Sequence, residues 1–286
     1  MNKQFDQLVH DALAIEAESA VEANSLAYLA RILVLATMPH SKQEGHIFER
    51  VNGKFHLTML AQPRYGLPYG VIPRLVLAWV STEAVRTRTP IIDLGPSLAR
   101  FMKEIGLEVT GGERGTVTYF KDHLQRLFTT SISFSFDGES DGNWQEMGFR
   151  IAYKTNLWWH PKNPLQEGLF RSQVHLSTEF YEELIRHPIP LDMRAIMALK
   201  SAPMAIDIYN WLTYRYSYLK GPTIIPWQLL HMQFGANYAH KDQFRQNFLM
   251  NLKKVLTVYP AARVEEVPRK GLQLSPSPTH VAPLLK

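Results

Sequence analysis

Apolar residues along the first 38 positions fall at mixed spacings of three and four, with Leu8, Ala12 and Ile15 followed by Leu26, Leu29 and Leu33. That periodicity predicts helix over 1–38, stopping near Pro39, whose ring cannot continue it. HIFERVNGKFHLTML (46–60) then alternates apolar and polar residues on both sides of Asn52-Gly53. This predicts a two-residue β-hairpin. The segment QPRYGLPYG (62–70), dense in proline and glycine, reads as a linker or an ordered loop.

From Pro73 onward one pattern occurs twice. The first copy predicts a helix through Trp79, a short strand at Ile91-Ile92, a helix over 97–105, a glycine turn, a helix over 116–128 and then strands. The second predicts a helix through Trp211, a strand at Ile224-Ile225, a helix over 227–233, a glycine turn, a helix over 242–256 and two short strands. Trp79 and Trp211 stand 132 positions apart, and the Ile-Ile pairs 133 apart. Duplication is the economical explanation. Helix, strand, helix, turn, helix and hairpin is the order of a winged helix, whose third helix presents a face to the DNA major groove. The expected fold is therefore α+β, mainly α. It comprises an N-terminal helix and hairpin extension (1–63) followed by two tandem winged-helix domains (64–176 and 177–286).

At roughly 100° per residue, Phe244, Phe248, Leu252 and Val255 share one face of the second unit's third helix, which makes that face core. The opposite face carries Gln243, Gln246, Met250, Lys253 and Lys254, with Asn247 at its border. Amides pair with adenine, and lysine reaches guanine or phosphate, so this is chemically a reading surface. The hairpin that follows, 262–266 and 271–275, turns through Pro268, Arg269 and Lys270, a basic tip suited to phosphate or the minor groove. In the first unit the buried stripe is Val117, Phe120, Leu124, Leu127 and Phe128. Thr118, Tyr119, Asp122, Gln125 and Arg126 are left outward, with Arg126 able to read guanine and Asp122 to accept from cytosine. Its wing is expected at 137–142, where Asp137, Glu139 and Asp141 would repel phosphate. The second unit is therefore expected to supply most of the DNA affinity, and the first to favour protein contacts.

The chain has 286 residues, 45% of them hydrophobic, enough to bury real cores, and no cysteine. Disulfides, thiolate zinc sites, iron–sulfur clusters and cysteine nucleophiles are excluded. The longest apolar stretch, Leu26–Met38, carries Arg31 and falls short of the roughly 20 residues of a membrane span. An acidic start is the wrong sign for a secretory or transit peptide, so a cytoplasmic protein is expected. The net charge of +5 is uneven: residues 1–30 hold one Lys and five acids, whereas 241–286 hold eight Lys and Arg against three acids. Positive charge gathered at one end suits a polyanion, with an ordinary solvated basic surface the alternative.

Enzyme motifs are weak. TGGERGT (110–116) precedes a helix but lacks both the Lys-Ser/Thr of a phosphate loop and the GxGxxG spacing of a dinucleotide site. The eleven histidines show no i, i+4 pair for a helical zinc site. Neither the histidine–tyrosine grouping of a nicking enzyme nor the clustered acids of a primase is visible. Trp158-Trp159-His160-Pro161 reads as a packed strand end, with base stacking the alternative. No enzymatic activity and no cofactor or metal are expected.

Several segments resemble the plasmid-encoded RepA family of replication initiators. They are LPYGVIPRLVLAWVSTEAVRT (67–87), SLARFMKEIGLEVTGGERGT (97–116), LQRLFTTSIS (124–133), NLWWHPKNP (156–164), HPIPLDMRAIMALKSAPMAIDIYNWLTYRYSYL (187–219), IPWQLLHMQFGANY (225–238) and FRQNFLMNLKKVLTVYP (244–260). The resemblance runs over 64–286. It implies a bacterial, plasmid-encoded initiator that binds double-stranded repeats (iterons) in its plasmid origin, helps open the duplex, and recruits the host initiator and replicative helicase. A homodimeric inactive or autorepressing form and a part in copy control belong to the same analogy. A winged-helix transcriptional repressor or autoregulator, and a winged-helix adaptor binding only proteins, remain the alternatives.

Overall fold

A computed structural model describes residues 3–35, 37–52, 55–110, 115–138, 143–158, 171–235, 238 and 240–282. Helix α1 (Lys3–Ala17) buries Leu8 and Ile15. The helix expected to run on to residue 38 ends there. Ser19 and Glu22 exchange hydrogen bonds between side chain and backbone (3.1 and 3.3 Å), and Asn24 turns through a positive φ of 51°. Residues 26–30 form strand β1 (Leu26–Ala30), followed by the short helix α2 (Arg31–Leu35). The correction has a physical cause. A short run buried on both faces satisfies helix and strand alike, and here β1 finds an antiparallel partner at 188–192, over 150 residues away. The expected hairpin is β2 (Ile47–Asn52) and β3 (Phe55–Leu60), with Asn52 opposite Phe55 and its two turn residues outside the described ones.

The first unit begins with α3 (Val71–Thr87), β4 (Ile91–Asp93), α4 (Leu98–Glu104) capped by the Ser97 hydroxyl, and α5 (Thr116–Thr129). Thr110 and Thr116 bond each other across the turn before α5, whose residues 111–114 lie outside the described ones. The hairpin after α5, β5 (Ser131–Gly138) and β6 (Asn143–Arg150), is not the wing expected there. β5 pairs with β3, giving among the described residues a sheet of order β2-β3-β5-β6. Alternation explains this: Ile132 and Phe134 continue the buried face begun by Leu57 and Met59, whereas Ser131, Ser133 and Ser135 take the other face. The partners of β4 come later, as β7 (Ala152–Asn156) and β8 (Gln173–Leu176), in the order β4-β8-β7. Residues 139–142 and 159–170 lie outside the described ones, so the acidic tip and Trp159-His160-Pro161 carry no structural account.

After α6 (Thr178–Arg186), β9 (Pro188–Asp192) and α7 (Met193–Ala198) comes the second unit. It comprises α8 (Pro203–Tyr216), β10 (Thr223–Pro226), α9 (Trp227–Phe234), α10 (Lys241–Val258), β11 (Arg263–Val267) and β12 (Gly271–Ser275). Its sheet order, β10-β12-β11, repeats that of β4-β8-β7. Only glycine fits at 271, because a Cβ there would overlap the Ile225 carbonyl of the paired strand. The duplication extends to the cores. Trp79 meets Phe101 edge-on at 4.7 Å and Phe101 meets Phe120 at 5.7 Å; Trp211 meets Phe234 at 5.6 Å and Phe234 meets Phe248 at 5.4 Å.

The N-terminal segment ties the units together. β1 pairs with β9, the β2–β3 hairpin extends the β5–β6 sheet, and α1 packs against α10 and α7. Arg194 donates to the Glu18 carbonyl at the end of α1 (2.7 Å) while pairing with Asp192. The Gln233 carbonyl of α9 accepts from Thr37 (2.9 Å) and Arg50 (2.6 Å).

Candidate nucleic-acid interface

Helix α10 forms because Phe244, Phe248, Leu252, Val255 and Val258 stack as one apolar stripe, and all five are buried. The opposite face is wet, as the wheel requires. Gln243, Gln246 and Lys253 are exposed, Met250 is 55% exposed, and Lys254 is half-buried. Among the described residues no side-chain hydrogen bond engages the Gln243 or Gln246 amide, so both edges face outward. The Asn247 amide is engaged, because it donates to the Gln243 carbonyl one turn back (3.0 Å). The Lys253 ammonium lies 5.9 Å over the Phe5 ring of α1. This contact leaves its charge in place while steering the side chain toward the N-terminal helix.

At the hairpin tip Arg269 adopts a left-handed backbone (φ 61°), and the Lys270 N–H closes the turn on the Val267 carbonyl (3.0 Å). Both side chains are exposed. They border a cleft of about 450 Å³ shared by the starts of α9 and α10, with Lys241, Arg245, Gln228 and His231 also in its wall. Sequence reasoning missed Lys241 and Arg245, which the wheel put off the reading face. Arg245 is set 5.6 Å over the Trp227 ring and bonds Glu266 at 2.7 Å, an arrangement that couples the tip hairpin to α10. Their spacing of four from the start of a helix was the available signal, and only the folded hairpin places Arg269 and Lys270 beside them.

Helix α5 buries its expected stripe of Val117, Phe120, Leu124, Leu127 and Phe128, and also His123. Its outward residues differ from expectation in one respect. Arg126 is turned inward, with only 14% of its side chain exposed; its Nε donates to Asp122 at 2.7 Å, and its guanidinium lies 5.7 Å over the Tyr69 ring. The Gln62–Gly70 loop folds over it, so neither Arg126 nor Asp122 stands free to read a base. Thr118 and Tyr119 are exposed, and Gln125 is half-buried. Trp158 is 49% exposed and its backbone is bonded to Ser172 in both directions. Among the described residues no group of three or more His, Asp or Glu side chains is placed to hold a metal, and no helix is long and apolar enough to cross a membrane.

The family whose sequence pattern matches residues 67–228 is described as plasmid-encoded RepA protein. That stretch runs from the loop before α3 into the first turn of α9, more than half of the chain. The chain belongs to the plasmid-encoded RepA family of replication initiators. Helix α10 and the basic hairpin of this RepA-family chain lie beyond the matched stretch. Among solved structures, a selenomethionine derivative of domains 2 and 3 of RctB shares the fold with a TM-score of 0.54 at 10% identity, covering 87% of this chain and 96% of that one. A second structure of RctB domains 2 and 3 gives the same score and identity over 86% and 96%. No curated protein matches the chain.

Proposed function

We propose that the chain initiates plasmid replication without enzymatic chemistry. In this reading it recognises repeated sequences in its plasmid origin, helps open the adjacent duplex, and recruits the host initiator and replicative helicase in the cytoplasm. Both units are read as winged helices, α5 and α10 being their recognition helices. One observation carries the DNA reading: the second unit gathers the free amides of Gln243 and Gln246 with Lys253, Lys254, Lys241, Arg269 and Lys270 along α10 and the adjoining hairpin tip. Amides supply base choice and cations supply phosphate affinity. The first unit contributes Thr118, Tyr119 and Gln125 at most, since Arg126 is neutralised by Asp122; this favours a supporting contact with DNA or a protein contact.

The test is anisotropy of the full chain with labelled origin repeats and with scrambled DNA of equal length, across a salt series. A preference of about a hundredfold with a steep salt slope is expected. Equal weak binding rejects origin recognition and leaves the adaptor reading. High affinity for one promoter palindrome, with none for the repeats, leaves the repressor reading.

A further inference from the structure

A buried ion pair joins the two units. Arg74 of α3 donates Nε to Asp207 Oδ1 (2.7 Å) and Nη2 to Oδ2 (2.6 Å), Asp207 being on α8. Its other N–H groups go to the carbonyls of Gly70 (2.6 Å), Met38 (2.8 Å) and Pro39 (3.3 Å), so all five donors of the guanidinium are used. His40 completes the cluster through Nε2 to Asp207 Oδ2 at 2.8 Å. Arg74 and Asp207 have side-chain exposures of 3% and 8%. One guanidinium thus holds its own helix, the segment that leads into the β2 strand and the first helix of the other unit.

Beside the pair the packing is largely apolar and incompletely filled. Leu29, Leu33 and Met38 of the N-terminal segment, Leu77 of α3 and Asn210 of α8 line a void of about 20 Å³ that also touches Arg74 and Asp207. Apolar side chains give area but tolerate sliding and rotation, whereas a bidentate carboxylate–guanidinium pair has one geometry. A buried pair adds little net stability over an apolar replacement of similar volume, because desolvation offsets the attraction; its best-attested use is to specify one arrangement among several.

We propose that Arg74 and Asp207 are positioning residues that set the orientation of the first unit relative to the second, and hence where the first unit lies when α10 meets DNA. The consequence for DNA rests on the function proposed above; the orientation itself does not.

The chain has no cysteine, so spin labels go cleanly onto Lys103→Cys and Glu265→Cys, exposed positions of α4 and β11 outside the reading face. Pulsed dipolar spectroscopy of the full chain is expected to give one narrow distance. In Arg74→Met/Asp207→Leu the distribution should broaden at least twofold or split, with helical circular dichroism unchanged. The same broadening is expected of Asp207→Asn, which keeps the shape and removes the charge. A narrow, unshifted distance in either folded variant overturns the proposal. Loss of folding in both also overturns it, because the pair then serves stability and not orientation. Absence of DNA binding by the wild type sinks the functional reading and leaves the distances to decide the orientation.

Discussion

Thr118, Tyr119, Gln125 and Arg126 on α5 stand 128 positions before Gln246, Asn247, Lys253 and Lys254 on α10, and the two sets sit in different surroundings. On the buried side the same offset matches Phe120 with Phe248, Leu124 with Leu252 and Leu127 with Val255, apolar against apolar throughout. On the outer side α5 places Arg126 under the Gln62–Gly70 loop against Asp122, whereas α10 keeps Lys253, Lys254 and the amides of Gln243 and Gln246 on its wet face. Packing of Trp, Phe and Phe behind each helix tolerates few replacements, while a wet face costs little to change. Equal cores with unequal faces are what a duplicated unit shows when, as in the function proposed above, one copy keeps a reading surface and the other turns to internal contacts.

The largest test of that comparison is in the cores. Phe120→Ala and Phe248→Ala should each cost about 3–5 kcal/mol. Chemical denaturation measures both, and a cost below about 1 kcal/mol for either would break the equivalence. Next come the faces: Lys253→Glu with Lys254→Glu should weaken binding to origin repeats about a hundredfold at moderate salt and flatten the salt slope. Gln125→Glu should stay within about threefold on the same titration, and a large loss there would return α5 to the DNA. Gln246→Ala should relax base choice at one or two positions by roughly 1–3 kcal/mol, read from a panel of single-base variants. Its counterpart Thr118→Ala should leave the panel unchanged.

The smallest effect concerns a position buried in both helices where the side chains differ in kind. His123 matches Asn251. The amide of Asn251 donates to the Asn247 carbonyl at 2.8 Å, whereas among the described residues neither ring nitrogen of His123 has a hydrogen-bond partner, and the ring lies between Tyr69 and Tyr119. Burial pushes its pKa down to about 4. The folded chain then holds this proton more weakly than the unfolded chain, whose histidine titrates near about 6.5. The stability His123 contributes is complete above that value and is lost as pH falls toward 4. His123→Asn should flatten the decline of Tm over this window, and an unchanged decline would detach His123 from it. His40 and His280, whose pKa values burial also lowers, leave a residual slope in both proteins.

Much of this was legible along the chain. The Trp-spaced duplication, the α3–β4–α4–α5 and α8–β10–α9–α10 orders, the 46–60 hairpin and the two-faced character of α10 all follow from local periodicity and turn chemistry. The misreadings share one cause. Periodicity predicts helix at β1 and a wing at β5–β6, whereas strand identity and partner choice are settled by residues far away in sequence. The cations of α10 were found where the wheel shows them, but Lys241 and Arg245 join the basic cleft only through the fold of β11–β12. Arg126 is outward on a wheel and inward in the molecule, since the loop that covers it comes from residues 62–70.

By itself, then, the sequence determined the repeated helix–strand–helix–helix order, which faces of α5 and α10 are core, and where charge collects, because these depend on spacing and composition within one element. Tertiary structure alone decided which hairpin completes the first unit, which cations remain at the surface for a polyanion, and how Arg74 and Asp207 hold the two units, because each of these depends on which distant partner satisfies a strand edge or a buried charge.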